Sequence, residues 1–246
     1  MGQRQASQHI ITRMENSPKP GSDRRRIRSY VLRTGRLTSG QQRALDDLWP
    51  AYGIPDDTGA LDLAGMFGNT APVNLEIGFG NGENLVRMAA AAPGENFIGA
   101  EVHEPGIGHC LMQINNLGLK NVRVARQDAV EFLERRLGDC SLNRVNLFFP
   151  DPWHKKRHHK RRIVQQAFLE LLHRKLKTNG IFHVATDWPD YAEHIAATFA
   201  TLPDFVAMQE APADRITTKF DARGQRLGHQ NSERAWCKRS KLPSSD

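Results

Sequence analysis

Cysteine is scarce: the 246 residues contain three, Cys110, Cys140 and Cys237, odd in number and widely spaced. They form neither a disulfide framework nor a metal-ligand cluster, which suits a reducing cytosol and implies no metal. All three are expected to be small core residues. No stretch approaches the roughly 18 consecutive apolar residues that a membrane span needs. The opening MGQRQASQHIITRMENSPKPGSDRRRIRS lacks the apolar h-region of a secretory signal. Basic, polar and containing proline and glycine, residues 1–27 read as a disordered arm. There is no internal repeat and no second domain, so 28–246 is expected to form one domain of the larger kind.

Positive charge is abundant. The net charge is +7 and the pI about 9.6. It is concentrated in Arg24, Arg25, Arg26 and Arg28 and again from Lys155 to Arg162, which favours a phosphate-bearing partner over an evenly solvated surface. Between His154 and Arg162, six of nine residues are Lys or Arg and three are His.

The periodicity is that of alternating strands and helices. Thr38 or Ser39 can cap a first helix over 38–49. Short apolar strands are expected at 73–77, 96–102, 121–126, 144–149 and 181–186, with two more at 205–210 and 234–238. Helices separate them, including an amphipathic one from Ile163 through Leu172 that closes at Asn179–Gly180. Repeated βα units predict an α/β fold, a mostly parallel sheet with helices on both faces.

In such sheets the ligand lies outside the carboxyl ends of the strands. Glu76, Glu101, Asp128, Asp151 and Asp187 each fall at or near such an end. One acid there is ordinarily a helix cap, and Asp128 alone reads that way; five together predict a shared crevice. Gly78, Gly80 and Gly82 follow the first strand. A dinucleotide fold would have G-x-G-x-x-G, with a pyrophosphate on the helix N-terminus. Here the third glycine comes early, and Glu83 would repel a pyrophosphate. G-x-G-x-G after a strand bearing Glu76 resembles instead the first motif of S-adenosylmethionine methyltransferases. Glu76 then suits the cofactor's ammonium, Glu101 its ribose hydroxyls and Asp128 the adenine amine.

The substrate is read from Asp151–Pro152–Trp153. This stretch is similar to the D-P-P-aromatic loop of enzymes that methylate exocyclic amines, but the second proline is missing and a basic block follows. Guanine fits better, because a carboxylate can accept from its adjacent N1–H and N2–H groups together. Its N7 carries a free lone pair, so methylation there needs positioning more than a general base. Trp153 is expected to pack the loop, Trp188 and Tyr191 to pack core or loop, and His154, His158 and His159 to face RNA or solvent.

PDPWHKKRHHKRR, together with LEIGFGNG, GAEVHEPG, TDWPDYA, TKFDARGQRLGH and the upstream RSYVLRTGRLTSGQQRALDDLWPAYGI, resembles the bacterial tRNA (guanine-N7-)-methyltransferase family over roughly residues 28 to 239. The resemblance implies a Rossmann-like class I fold with a seven-stranded sheet, and 7-methylguanosine formation at position 46 in the variable loop of tRNA. It implies cofactor contacts at Glu76, Glu101, Asp128 and Asp151, with Asp151 catalytic. Substrate contacts fall on Lys155, Asp187, Thr218, Lys219, Phe220 and Asp221, and the RNA-facing block on Arg157, His158, His159, Lys160, Arg161 and Arg162. Asp221 stands where the family commonly has Glu, a reach shorter by one methylene. Two other readings use the same residues: an exocyclic-amine methyltransferase, and a non-catalytic RNA-binding protein on this fold. Monomer and dimer are both open.

Overall fold

The computed structural model describes residues 28–30, 35–57, 59–216 and 231–239. The expected arm, 1–27, and the expected substrate contacts Thr218, Lys219, Phe220 and Asp221 therefore lie outside the described residues.

Helix α1, Ser39–Tyr52, starts at a capping box in which Thr38 accepts from the Gln41 N–H and the Gln41 side chain accepts in return. Helix α2, Leu63–Phe67, is a single turn that periodicity is too short to reveal; Asp62 caps it and left-handed Gly68 ends it. The βα alternation then runs through β1 (Val73–Ile77), α3 (Glu83–Ala91), β2 (Asn96–Ala100), α4 (Glu104–Asn116), β3 (Val122–Ala125), α5 (Ala129–Arg136) and β4 (Leu142–Phe148). A 3₁₀ helix, Lys156–Arg161, carries most of the basic block. It is followed by α6 (Gln166–Lys175), β5 (Leu176–Thr186), α7 (Pro189–Phe199), β6 (Phe205–Ala207) and β7 (Ser232–Lys238).

The seven strands form one sheet in the order β3-β2-β1-β4-β5-β7-β6. Strands β1 to β5 pair in parallel, whereas β7 runs antiparallel to β5 and β6. The predicted α/β, Rossmann-like architecture is thus the observed one. Two apolar clusters cover the two faces. Val73, Leu75, Ile77, Ile98 and Ala100 join Phe132, Leu172 and Phe199 from α5, α6 and α7. Phe97, Val122 and Val124 join Leu45, Leu85 and Leu111 from α1, α3 and α4. Strand order reverses between β1 and β4, so the loops leaving their carboxyl ends diverge and open a crevice there.

Two expectations are corrected. The amphipathic helix ends at Lys175 rather than at Asn179–Gly180, because fully buried Leu176 already pairs with Leu142 of β4 and Lys175 donates to the Leu137 carbonyl and Asp139. Tertiary pairing overrides a helical period that extends further. Of the cysteines, Cys110 is buried, but Cys140 is exposed in a left-handed turn (φ 50°) and Cys237 is only partly covered. Among the described residues no helix is long and apolar enough to cross a membrane.

Gly82 joins the first strand's loop to α3 with φ 79°, and a Cβ there would collide with the Cys110 side chain of α4. Gly82→Ala combines left-handed strain with overpacking, so urea unfolding should show a loss of roughly 2–4 kcal/mol.

Candidate active site

A cavity of about 620 Å³ opens at the carboxyl ends of the parallel strands. Gly78 and Gly80, both at positive φ, and Asn81 form one wall; Glu101, Asp128, Asp151 and Asp187 also line it. Four of the five strand-end acids therefore meet, as the spacing predicted. Glu101, just past β2, accepts from the Gly80 N–H at 3.0 Å and from the Val102 and His103 N–H groups at 2.6 and 3.0 Å. The first bond ties its carboxylate to the glycine loop, and the other two fix it over its own turn. Gly106, in the first turn of α4, permits an approach to the Gly80 carbonyl that any Cβ would block. Asp128 is both things at once: it caps α5 by accepting from Val130 and Glu131 N–H through Oδ1, and it lines the cavity.

Glu76 does not line the cavity. It lies beneath the glycine loop, 4% exposed, and accepts from Asn84 Nδ2 at 3.2 Å. Burial pushes its carboxyl up to about 8, although the Asn84 bond and Arg144 pull the other way. Gly82 is likewise outside the lining and serves the turn into α3. Lys155 is exposed and also outside the lining.

The lining includes residues that sequence reasoning missed: Ser29, Tyr30, His103, Gln127 and Phe149. The Arg28–Tyr30 segment is brought there by the basic loop. Trp153 Nε1 donates to the Ser29 carbonyl at 2.9 Å, while Arg161 donates to the Arg28 and Tyr30 carbonyls at 3.1 Å each. Burial, then the nearby Asp128 charge, raises the Tyr30 phenol above its usual range, keeping it a hydrogen-bond donor. No periodic signal marks this segment, because side chains far away in sequence hold it by its main-chain carbonyls. Trp153 does pack the loop as expected, with the Arg161 guanidinium 3.8 Å over its ring. Tyr191 is a core residue, fully buried, and His154 packs its ring against Trp188.

The basic block divides. Arg162 is corrected from RNA-facing to structural: it is 2% exposed, ion-paired with Asp190, donates to the Pro152 carbonyl and lies over the Tyr191 ring. His159 is half-buried beside Asp190. Arg161 is engaged with Trp153 and the Arg28–Tyr30 segment, and half-buried His158 stands edge-on to Trp153. Lys155, Lys156, Arg157 and Lys160 remain exposed, forming a cationic ridge beside the cavity mouth. Among the described residues no cluster of three or more His, Cys, Asp or Glu side chains could hold a metal.

Among the described residues the cavity lining contains four carboxylates and no Lys or Arg. That set suits a cationic ligand with hydroxyl and amine donors, and it would repel a pyrophosphate. A family model described as "Putative methyltransferase" matches residues 70–234. Among curated relatives, a tRNA (guanine-N(7)-)-methyltransferase of Shewanella amazonensis is 54% identical over 211 residues, spanning 83% of this chain and 89% of its own. One of Sodalis glossinidius is 56% identical over 211 residues, with 83% and 88% covered. One of Alcanivorax borkumensis is 52% identical over 221 residues, with 87% and 92% covered.

Because the folded state holds a proton on Glu76 up to about pH 8 that the unfolded chain releases near the usual 4.5, its contribution to stability is full below 4.5. It is lost as pH rises through 8. Glu76→Gln, which stays neutral, should flatten the fall in Tm between pH 5 and 9 measured by calorimetry (about 2–4 °C per kcal/mol for a chain of this size). An unchanged slope would show that Glu76 is ionised in the folded protein.

Proposed function

The chain belongs to the tRNA (guanine-N(7)-)-methyltransferase family and methylates guanine N7 in tRNA; from that premise we propose which residues do so, with S-adenosylmethionine as methyl donor and guanine 46 of the variable loop as target. The observation that carries the assignment is the convergence of Glu101, Asp128, Asp151 and Asp187 on one cavity that has no Lys or Arg among its described lining residues but lies beside a cationic ridge.

When bound, S-adenosylmethionine supplies an electrophilic methyl group. Glu101, already oriented by three main-chain donors, accepts from the ribose hydroxyls. Asp128 keeps its Oδ2 for the adenine amine, since both helix-cap bonds fall on Oδ1. Gly78 and Gly80 let the backbone approach closely, and Glu76 acts from below, by fixing Asn84 under the loop rather than by direct contact. Asp151 projects from the end of the β4 loop and accepts from guanine N1–H and N2–H, which sets N7 in line with the methyl. Its negative charge also favours the positive charge developing on the purine. Asp187 and Lys155 flank the base and the ribose-phosphate, and Thr218, Lys219, Phe220 and Asp221 complete the substrate contacts. The N7 lone pair holds no proton, so no general base is required.

Lys155, Lys156, Arg157 and Lys160 face the tRNA backbone. The anionic cavity and the cationic ridge thus serve two parts of one substrate, base and phosphate. The reaction is cytoplasmic, where tRNA is found.

Incubation with S-adenosylmethionine and unmodified tRNA should yield 7-methylguanosine on nucleoside mass spectrometry, mapped to position 46 by fragment analysis. Methyladenine or methylcytosine in its place would reject the assignment. Asp151→Ala should lower kcat on the order of 10²-fold while retaining tRNA affinity. Replacing Lys156, Arg157 and Lys160 together with Ala should flatten the dependence of log K on log salt by roughly 0.7–0.9 for each phosphate left without its cation. An unaltered slope in a filter-binding titration would place the tRNA elsewhere.

A further inference from the structure

The face of the sheet beneath α3 is not apolar at its centre. Asn74 and Glu76 of β1, Arg144 and Asn146 of β4 and His183 of β5 are all buried there. Asn146 stands opposite Glu76 in the β1–β4 register and opposite His183 in the β4–β5 register, so the three form one row across the sheet. Three consecutive residues, Asp214, Arg215 and Ile216, are tied to this polar floor. The Arg144 guanidinium holds Asp214 through two bonds of 3.0 and 2.6 Å. The Ile216 N–H donates to Asn84 Oδ1 at 3.1 Å, and Asn84 in turn donates to Glu76. Between them Arg215 donates through Nε and Nη2 to Glu233 Oε2 of β7 at 3.0 and 2.8 Å, and its side chain is 9% exposed.

The Arg215 network closes on the residues that carry Asp151. Glu233 Oε1 is 2.7 Å from His183 Nε2, and the His183 ring meets Phe148 edge-on at 4.9 Å. The Arg215 guanidinium carbon lies 5.7 Å from the Phe148 ring centre and 5.4 Å from that of Phe149. Burial works against the ionised form of Glu233, but bonds from His183 and Arg215 outweigh it and hold the carboxyl at about 2, so the anion persists across the working range. Phe149 needs such support. It has φ 50°, a conformation that a bulky side chain avoids, and the visible main-chain restraint is its N–H bond to the Ala185 carbonyl at 2.8 Å. Two residues further on is Asp151.

We infer that Arg215 is a positioning residue for methyl transfer: anchored by Glu233 and flanked by the tethered Asp214 and Ile216, it braces Phe148 and Phe149 and holds the strained turn that aims Asp151 into the cavity. The inference rests on the reading of Asp151 as the guanine-orienting carboxylate. A stabilising role alone explains the arrangement poorly, because the Glu233 side chain is 29% exposed and an ion pair that solvent reaches adds little stability. What an ion pair with two fixed bonds does supply is direction, at the place where the turn's geometry decides the distance between reacting atoms.

The test measures steady-state methylation of a tRNA transcript together with binding of cofactor and tRNA. Arg215→Ala should lower kcat by on the order of 10- to 10²-fold, the scale of an ångström-sized misplacement, with both dissociation constants unchanged. Millimolar methylguanidine should restore part of that rate to Arg215→Ala and none to Asp151→Ala. If Arg215→Ala does not fold, Glu233→Gln keeps one acceptor oxygen and should show the same pattern more weakly. Since Arg215 acts through the phenyl rings, its effect should shrink in a Phe149→Leu background. Wild-type kcat in both Arg215→Ala and Glu233→Gln overturns the inference, as does additivity with Phe149→Leu or a loss that falls on tRNA or cofactor affinity. An inactive Asp151→Ala beside a fully active Arg215→Ala rejects the positioning role alone, whereas a fully active Asp151→Ala rejects the underlying assignment.

Discussion

Five neighbouring strands run parallel, and that constraint organises the rest of the molecule. In a parallel array every strand delivers its next loop to the same edge, so acids widely separated in the chain arrive within one crevice. The reversal of strand order between β1 and β4 leaves the two central loops diverging. The glycine turn lies on one side of the gap and the Phe148–Pro152 turn on the other. Helices α1, α3 and α4 on one face and α5, α6 and α7 on the other bury the sheet.

Charge is sorted around this edge. Among the described residues the cavity is lined by carboxylates without Lys or Arg, while the ridge beside it carries exposed cations. Arginines that look alike in sequence do three different jobs. Arg162 is buried on Asp190 and Tyr191, Arg161 draws the Arg28–Tyr30 segment over the cavity, and Arg157 faces solvent. Because Trp153 and Arg161 grip the segment that carries Tyr30, the loop expected to meet phosphate also helps to wall the cavity.

Much of the fold was legible from local pattern. The strand at 73–77 is found as predicted, and the parallel order follows from βα alternation. The amphipathic period after Ile163 did not give the helix its ends. The helix begins only at Gln166, after the 3₁₀ turn, and Leu176 leaves it for the sheet. Of the candidate site, Glu101, Asp128, Asp151 and Asp187 were readable because strand ends share an edge. Glu76 was placed on the right strand, but its position one residue before the strand's last turns it beneath the loop rather than into the cavity. Ser29, Tyr30 and Phe149 were unreadable because side chains far away in sequence place the first two and a left-handed backbone places the third.

The sequence by itself determined the alternation of strands and helices, the glycine turn, the strand-end acids and the concentration of positive charge, since each is set by residue type and spacing along the chain. Only the tertiary structure decided which cations stay exposed, which acid lies under the glycine loop, and how Arg144, Glu233 and Arg215 brace the turn bearing Asp151. Those outcomes depend on burial and on bonds between residues tens of positions apart, and neither quantity exists until the chain has folded.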